Sequence, residues 1–171
     1  MKTLVTYFSK TGNTRKVAEA IYQALDEGDK EIKPMQEVNS VSDYSLIFCG
    51  FPVHSHSVPV PAQNFLKKIP PESKAALFST HGSTTKGQMP MEAINSAIGI
   101  VKAEILGYFT CRGEVEESVI DSLMKEPQHR AWAMEALSAK AHPDSADLED
   151  AGFFAKSIMK KAGSFREYTN V

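Results

Sequence analysis

Short apolar runs punctuate the chain at residues 3–8 (TLVTYF), 45–50 (SLIFCG), 75–80 (AALFST) and 104–111 (EILGYFTC), each bounded by small polar or turn-forming residues. Runs of this length and composition predict strands buried on both faces. Residues 31–35 mix charge with a single apolar position and suit an edge strand. Between the runs the period changes. Val17, Ala18, Ile21, Tyr22 and Leu25 share one helical face, with Gly28 as a stop. A short helix is predicted around 61–68 and a longer one over 90–101, carried by Met91, Ile94, Ala97, Ile98 and Val101. The last helix is marked by charge as well as by period. Asp147, Glu149 and Asp150 crowd its first turns and Lys156, Lys160 and Lys161 its end, which complements the helix dipole. Leu148, Ala151, Phe154, Ala155 and Ile158 form its apolar stripe, and residues 163–171 read as a frayed tail.

Five strands alternating with helices imply a parallel sheet covered on both sides, because parallel crossovers are right-handed and lay a helix on a face. Such α/β sheets bind ligands beyond the carboxyl ends of their strands. The loops that matter are then 9–14, 51–60, 80–89 and the segment from Arg112 onward.

Composition narrows the possibilities. A chain of 171 residues fills one domain and can bury a sizeable core without staples. The formal charge of −2, from 19 basic and 21 acidic side chains, leaves no polybasic footprint for nucleic acid. No apolar stretch approaches a bilayer span and the chain enters a strand almost at once, so a cytoplasmic protein is expected. Cys49 and Cys111 lie far apart with no second cysteine beside either, which fits two buried thiols rather than a disulfide or zinc framework.

The strongest chemical signal is Ser9-Lys10-Thr11-Gly12-Asn13-Thr14, set between a buried strand and a helix start. Backbone N–H groups at a helix N-terminus converge on an anion, a glycine permits close approach, and hydroxyls add donors. The run has neither the Gly-Lys-Ser/Thr ending of a triphosphate loop nor a Gly-x-Gly-x-x-Gly fingerprint, so a monophosphate fits better than a pyrophosphate. Taken singly, each residue would be an ordinary cap or turn former.

Placed after the first strand of an alternating chain of this length, the Ser-Lys-Thr-Gly-Asn-Thr run resembles the phosphate-binding signature of the flavodoxin family. The resemblance implies an α/β three-layer sandwich, a five-stranded parallel sheet of order 2-1-3-4-5, and FMN at the carboxyl ends of the strands. It further implies that Ser9, Thr11, Gly12, Asn13 and Thr14 hold the FMN phosphate, with Lys10 contributing through its backbone. By the same resemblance the loop after the third strand, Phe51, Pro52, Val53 and His54, covers one face of the flavin ring, and Thr80, His81 and Gly82 cradle its polar edge. Phe51 or His54 is the candidate for stacking, and Phe51 alternatively packs inward as core.

Histidine takes the place of the acidic surface usual for such carriers. His54, His56 and His81 fall in the two flanking loops, but no carboxylate accompanies them, so a metal site is not favoured. If His54 or His81 contacts the flavin, a charge change near neutrality should shift the midpoint potential between about pH 6 and 8. Weak overall acidity implies docking by local shape and apolar contact more than by long-range steering.

Residues 112–141 exceed what a minimal member of the family needs. They read as two helices parted near Pro127, whose Val115, Val119, Ile120, Leu123, Trp132, Met134 and Leu137 can pack back on the domain. The segment either completes the core or shapes a docking face, and it carries the sole tryptophan away from the expected ring positions. The whole chain, 1–171, is thus one domain with this extension.

The resemblance implies an electron carrier that accepts electrons from one redox partner protein and passes them to another, with no catalytic residue. The alternative is an FMN-dependent NAD(P)H oxidoreductase acting on quinones or other small molecules. A cofactor-free signalling domain of the same topology is disfavoured, because the first loop lacks the acidic pair of a phosphoacceptor site.

Overall fold

The computed structural model describes residues 1–26, 28–84 and 87–164. Its strands are β1 (Thr3–Tyr7), β2 (Lys30–Pro34), β3 (Leu46–Pro52), β4 (Lys74–His81) and β5 (Glu104–Arg112). All adjacent pairs run parallel in the order β2-β1-β3-β4-β5, the expected topology. The helices are α1 (Asn13–Ala24), α2 (Val60–Leu66), α3 (Gln88–Ile100), α4 (Glu117–Met124), α5 (Arg130–Leu137) and α6 (Ser145–Ser164).

Strand alternation divides the core into two layers. On β3, Ile47, Cys49 and Phe51 point to one side, where Leu4, Ala75 and Leu77 join Phe65 and Leu66 of α2 and Ile94 of α3. Leu46 and Phe48 point to the other, against Val17 and Ile21 of α1 and Ala151, Ala155 and Ile158 of α6. Gly50 belongs to this second face. A Cβ there would lie 2.0 Å from the Phe78 ring, so only glycine lets β3 pass that side chain.

The two sheet edges are managed differently. Every residue of β2 is half-buried, and Glu31 pairs with Lys2 and Lys33, as an edge protected by charge requires. The fourth apolar run was expected to be buried on both faces, but β5 is the opposite edge and leaves Tyr108 exposed. Both cysteines are buried free thiols, and burial pushes their pKa values up.

Residues 113–141 form α4, a 3-10 turn at Pro127–His129, and α5. Their inward face is not the one the large apolar residues suggested. Ile120, Ala133 and Ala136 are buried, with Val115 and Leu123 packed against them, whereas Val119, Trp132, Met134 and Leu137 stay exposed. Alanines face inward because the two short helices pack closely, and that pushes the bulkier side chains out. The tail was expected from residue 163, but α6 includes Gly163 and Ser164; residues 165–171 lie outside the described residues.

Candidate functional site

A cleft of about 300 Å3 opens at the carboxyl ends of the strands. It is lined by Thr11 and Asn13 after β1, by Pro52, Val53, His54 and Ser55 after β3, and by Thr80, His81 and Gly82 after β4. Backbone hydrogen bonds stitch these loops to one another: Phe8 N–H donates to Gly50 O, Val53 N–H to Thr80 O, and Gly113 N–H to His81 O, each at 2.9 Å. The volume is at the lower end of the roughly 300–1,000 Å3 typical of small-molecule sites. A larger open groove of about 570 Å3 lies between α1 and α6, remote from these loops and lined by helix side chains such as Lys16 and Phe153.

The first loop is built around Gly12. With φ at +94° it takes the left-handed conformation that ends the loop, and α1 then starts with no side chain capping its first turn. The Ser9 hydroxyl accepts from Gly12 N–H at 3.1 Å and so closes the turn from within. The remaining hydroxyls are used unequally. Thr11 lines the cleft, whereas Thr14 is 1% exposed and its hydroxyl is 2.9 Å from that of Thr80. The Asn13 amide donates to Glu114 O at 2.8 Å, which ties the helix start to the chain leaving β5. Ser9, Lys10, Gly12 and Thr14 are outside the lining, and the Thr14 hydroxyl is paired with that of Thr80.

Phe51 is not at the cleft. Period-two alternation from Ile47 and Cys49 sends it into the layer under α2 and α3, where it is fully buried. Of the two residues expected to stack, only His54 lines the cleft. Its pKa is lowered, first by burial and then by the Lys10 ammonium.

His81 is 3% exposed. Its Nδ1–H donates to Ser83 O at 3.0 Å, and its Nε2 is buried with no hydrogen-bond partner among the described residues. Burial drives its pKa down to about 4, helped by the Arg112 guanidinium and opposed by the Ser83 hydrogen bond. His81 is consequently neutral between pH 6 and 8, which removes it as a source of pH-dependent charge there.

The three loop imidazoles do not converge. His54 is in a hairpin with Ser57, His81 is tied to Ser83, and His56 reaches out to Glu92 on α3 with Nδ1 2.9 Å from Oε2. His142, Asp144 and Asp147 do come together elsewhere, at the start of α6, where Asp144 and Asp147 accept from backbone N–H groups of that turn.

The segment after β5 supplies the lining that the sequence reading missed: Gly113, Glu114, Val115, Glu116 and Val119. In the sequence this loop is only a strand exit, and no periodicity separates a cleft-facing glutamate from a solvated one. Glu114 and Glu116 bring acidic side chains to a rim expected to lack them. The Glu114 carboxylate accepts from Ala141 N–H at 3.2 Å and is held at that side of the rim. Trp132 is not among the residues lining the cleft, and it packs edge-on against His56 with ring centroids 5.6 Å apart. Its helix is distant in sequence, but α5 folds back beside the loop after β3.

The donors fit a phosphate-bearing planar ligand. An uncapped helix start and Thr11 offer donors beside the cleft, and Pro52, Val53, Val115 and Val119 give it apolar wall.

Comparison with known proteins identifies relatives of the whole chain. A family model described as a flavodoxin domain matches residues 4–156. A flavodoxin-like domain-containing protein, BilS, of Clostridioides difficile is 32% identical, the alignment covering 95% of this chain and 98% of that protein. An uncharacterized protein of Methanocaldococcus jannaschii is 29% identical over 94% of this chain and 99% of its own. Among solved structures, oxidised flavodoxin 2 from Bacillus cereus superposes with a TM-score of 0.63 at 20% identity, covering 94% of this chain and 99% of that one. An archaeal flavodoxin gives a TM-score of 0.63 at 15% identity, covering 95% and 99%. At such identities the two superpositions establish the fold alone.

Proposed function

This chain belongs to the flavodoxin domain family, and from that premise we propose that it binds FMN in the cleft at the strand ends and carries electrons between redox partner proteins. The observation that carries the reading is the left-handed Gly12 turn, which delivers an uncapped α1 N-terminus to a cleft walled by the loops after β3 and β4. When bound, FMN supplies the redox chemistry, and the polypeptide binds, orients and shields it.

The roles follow from placement. Thr11 and the first N–H groups of α1 would hold the phosphate, with Asn13 anchored on Glu114 O so that the helix start keeps its aim. Ser9 and Thr14 act one step behind, closing the turn and seating Thr80. Pro52, Val53 and His54 on one side, with Thr80, His81 and Gly82 on the other, would enclose the ring and exclude water. Gly82 is closely backed by Val115, since a Cβ there would lie 2.4 Å from Val115 Cγ2.

Titration of the FMN-free protein with FMN and with riboflavin, read by quenching of flavin fluorescence, tests the phosphate assignment. FMN should bind at least tenfold more tightly than riboflavin, and Gly12→Ala, which strains a φ of +94°, should erase most of that difference. Equal affinity for the two flavins would refute it. Mixing the loaded protein with NADPH or NADH tests the carrier role: slow direct reduction supports a carrier, while rapid bleaching would establish the oxidoreductase instead.

A further inference from the structure

The turn leaving β3 holds two residues other than glycine in the left-handed region, Ser55 at φ 46° and His56 at φ 65°. They form the centre of a two-residue hairpin, for His54 N–H donates to Ser57 O at 3.0 Å and Ser57 N–H donates back to His54 O at 2.9 Å. Positive φ at both central positions is the I′ geometry, which Asn-Gly and Gly-Gly adopt readily and which a Ser-His pair, with a Cβ at both positions, adopts at a cost. A turn of unfavourable residues persists only where its surroundings over-determine it.

The contacts of His56 show what those surroundings are. Its Nδ1 is 2.9 Å from Glu92 Oε2, and Glu92 is itself fixed by Gln88 Nε2, which donates to Oε1 at 2.6 Å. Its ring packs edge-on to Trp132, which in turn stacks on His129 with centroids 5.3 Å apart and planes 9° from parallel. One side chain of the turn is thus gripped by α3 and α5 together. The other half of the turn, the exposed His54 and Ser55, lines the cleft. The same helix α5 also steadies the loop after β4, since Thr84 N–H donates to the Glu135 carboxylate.

We propose that His56 is a positioning residue, clamped by Glu92 and Trp132, which holds the turn after β3 in its left-handed form and so sets the cleft wall made by His54 and Ser55. The 112–141 extension thereby serves the cleft through Trp132, without Trp132 touching the ligand. The inference rests on the reading that the cleft takes FMN, and the loss of the clamp should lower the fraction of molecules with a binding-competent wall.

The test compares two substitutions that remove the same clamp. His56→Ala keeps a Cβ in the left-handed region, and it should weaken FMN binding about tenfold. His56→Gly lacks the clamp but prefers positive φ, and it should recover most of that loss. Trp132→Leu should weaken binding in the wild-type background and have little effect in the His56→Gly background, where nothing remains to be clamped. In the FMN-free protein, both His56 variants should alter the emission of Trp132, the sole tryptophan, which checks the contact with no ligand present. Unchanged FMN affinity in His56→Ala, or His56→Gly binding as weakly as His56→Ala, overturns the proposal. Wild-type protein that fails to bind FMN overturns the functional reading instead, and the emission measurement still decides whether the clamp exists.

Discussion

Acid should unfold this protein earlier than its carboxylates alone would dictate, and His81 is the reason. The imidazole titrates at about 4 in the fold against an ordinary value of 6.5, because burial disfavours its charged form. A depressed folded pKa means that the unfolded chain takes up a proton more readily than the native one. Above about pH 6.5 both states are neutral at this position, and the stabilisation is fully present. As pH falls from 6.5 toward 4, only the unfolded chain protonates, so stability drops by up to about 1.4 kcal/mol per pH unit. Below about 4 both states carry the proton and the contribution, roughly 3 kcal/mol in all, is gone. Urea unfolding curves recorded between about pH 7.5 and 4.5 measure this loss directly. His81→Asn removes the titration while its amide can still donate toward Ser83 O. Wild type should lose roughly 2–3 kcal/mol more than His81→Asn over that interval, since every other titrating group is common to both. Parallel stability curves for the two proteins would refute the argument and show that water reaches Nε2.

Other perturbations read different parts of the same framework. Gly50→Ala drives a methyl into the buried Phe78 ring and should cost about 1–3 kcal/mol by thermal or urea unfolding, with Phe78→Leu in the same chain restoring part of it. Thr14→Val or Thr80→Val alone leaves a buried hydroxyl unpaired and should cost about 1–3 kcal/mol, whereas the double valine variant should be less destabilised than the sum of the two. Cys49 and Cys111 should resist a thiol-specific chromogenic reagent in native protein and react promptly in denaturant, because burial keeps both thiols protonated as well as shielded.

What the sequence disclosed tracks how local each cause is. Continuous apolar runs and 3.6-residue periodicity are local, and they located all five strands within a few residues, together with the helices that cover them. The order of the sheet came from resemblance rather than from pattern, since no periodicity says which strand neighbours which. Phe51 was ambiguous for a different reason. A strand-end aromatic reads alike whether it points into a core layer or a cleft, and only the phase of alternation relative to Ile47 and Cys49 decides. Thr14 shows the limit of motif reading: its hydroxyl belongs to the Ser-Lys-Thr-Gly-Asn-Thr run, yet Thr80, 66 positions later, takes up that hydroxyl. The contribution of residues 113–119 and the placement of Trp132 beside His56 depend on how the extension folds back, which is a tertiary fact with no counterpart in local spacing.

The same distinction between sums and places governs the electrostatics. A formal charge of −2 suggests a nearly neutral surface. Residues 112–141 nevertheless contain six acidic side chains (Glu114, Glu116, Glu117, Asp121, Glu126 and Glu135) against four basic ones (Arg112, Lys125, Arg130 and Lys140), a local balance of −2 that leaves the rest of the chain at 0. Because the Debye length is about 8 Å at physiological ionic strength, a molecule approaching the cleft senses the nearby carboxylates and hardly the distant total. Two of those acidic residues, Glu114 and Glu116, stand on the cleft rim itself. The extension therefore changes the field at the strand ends as well as bracing the loop after β3.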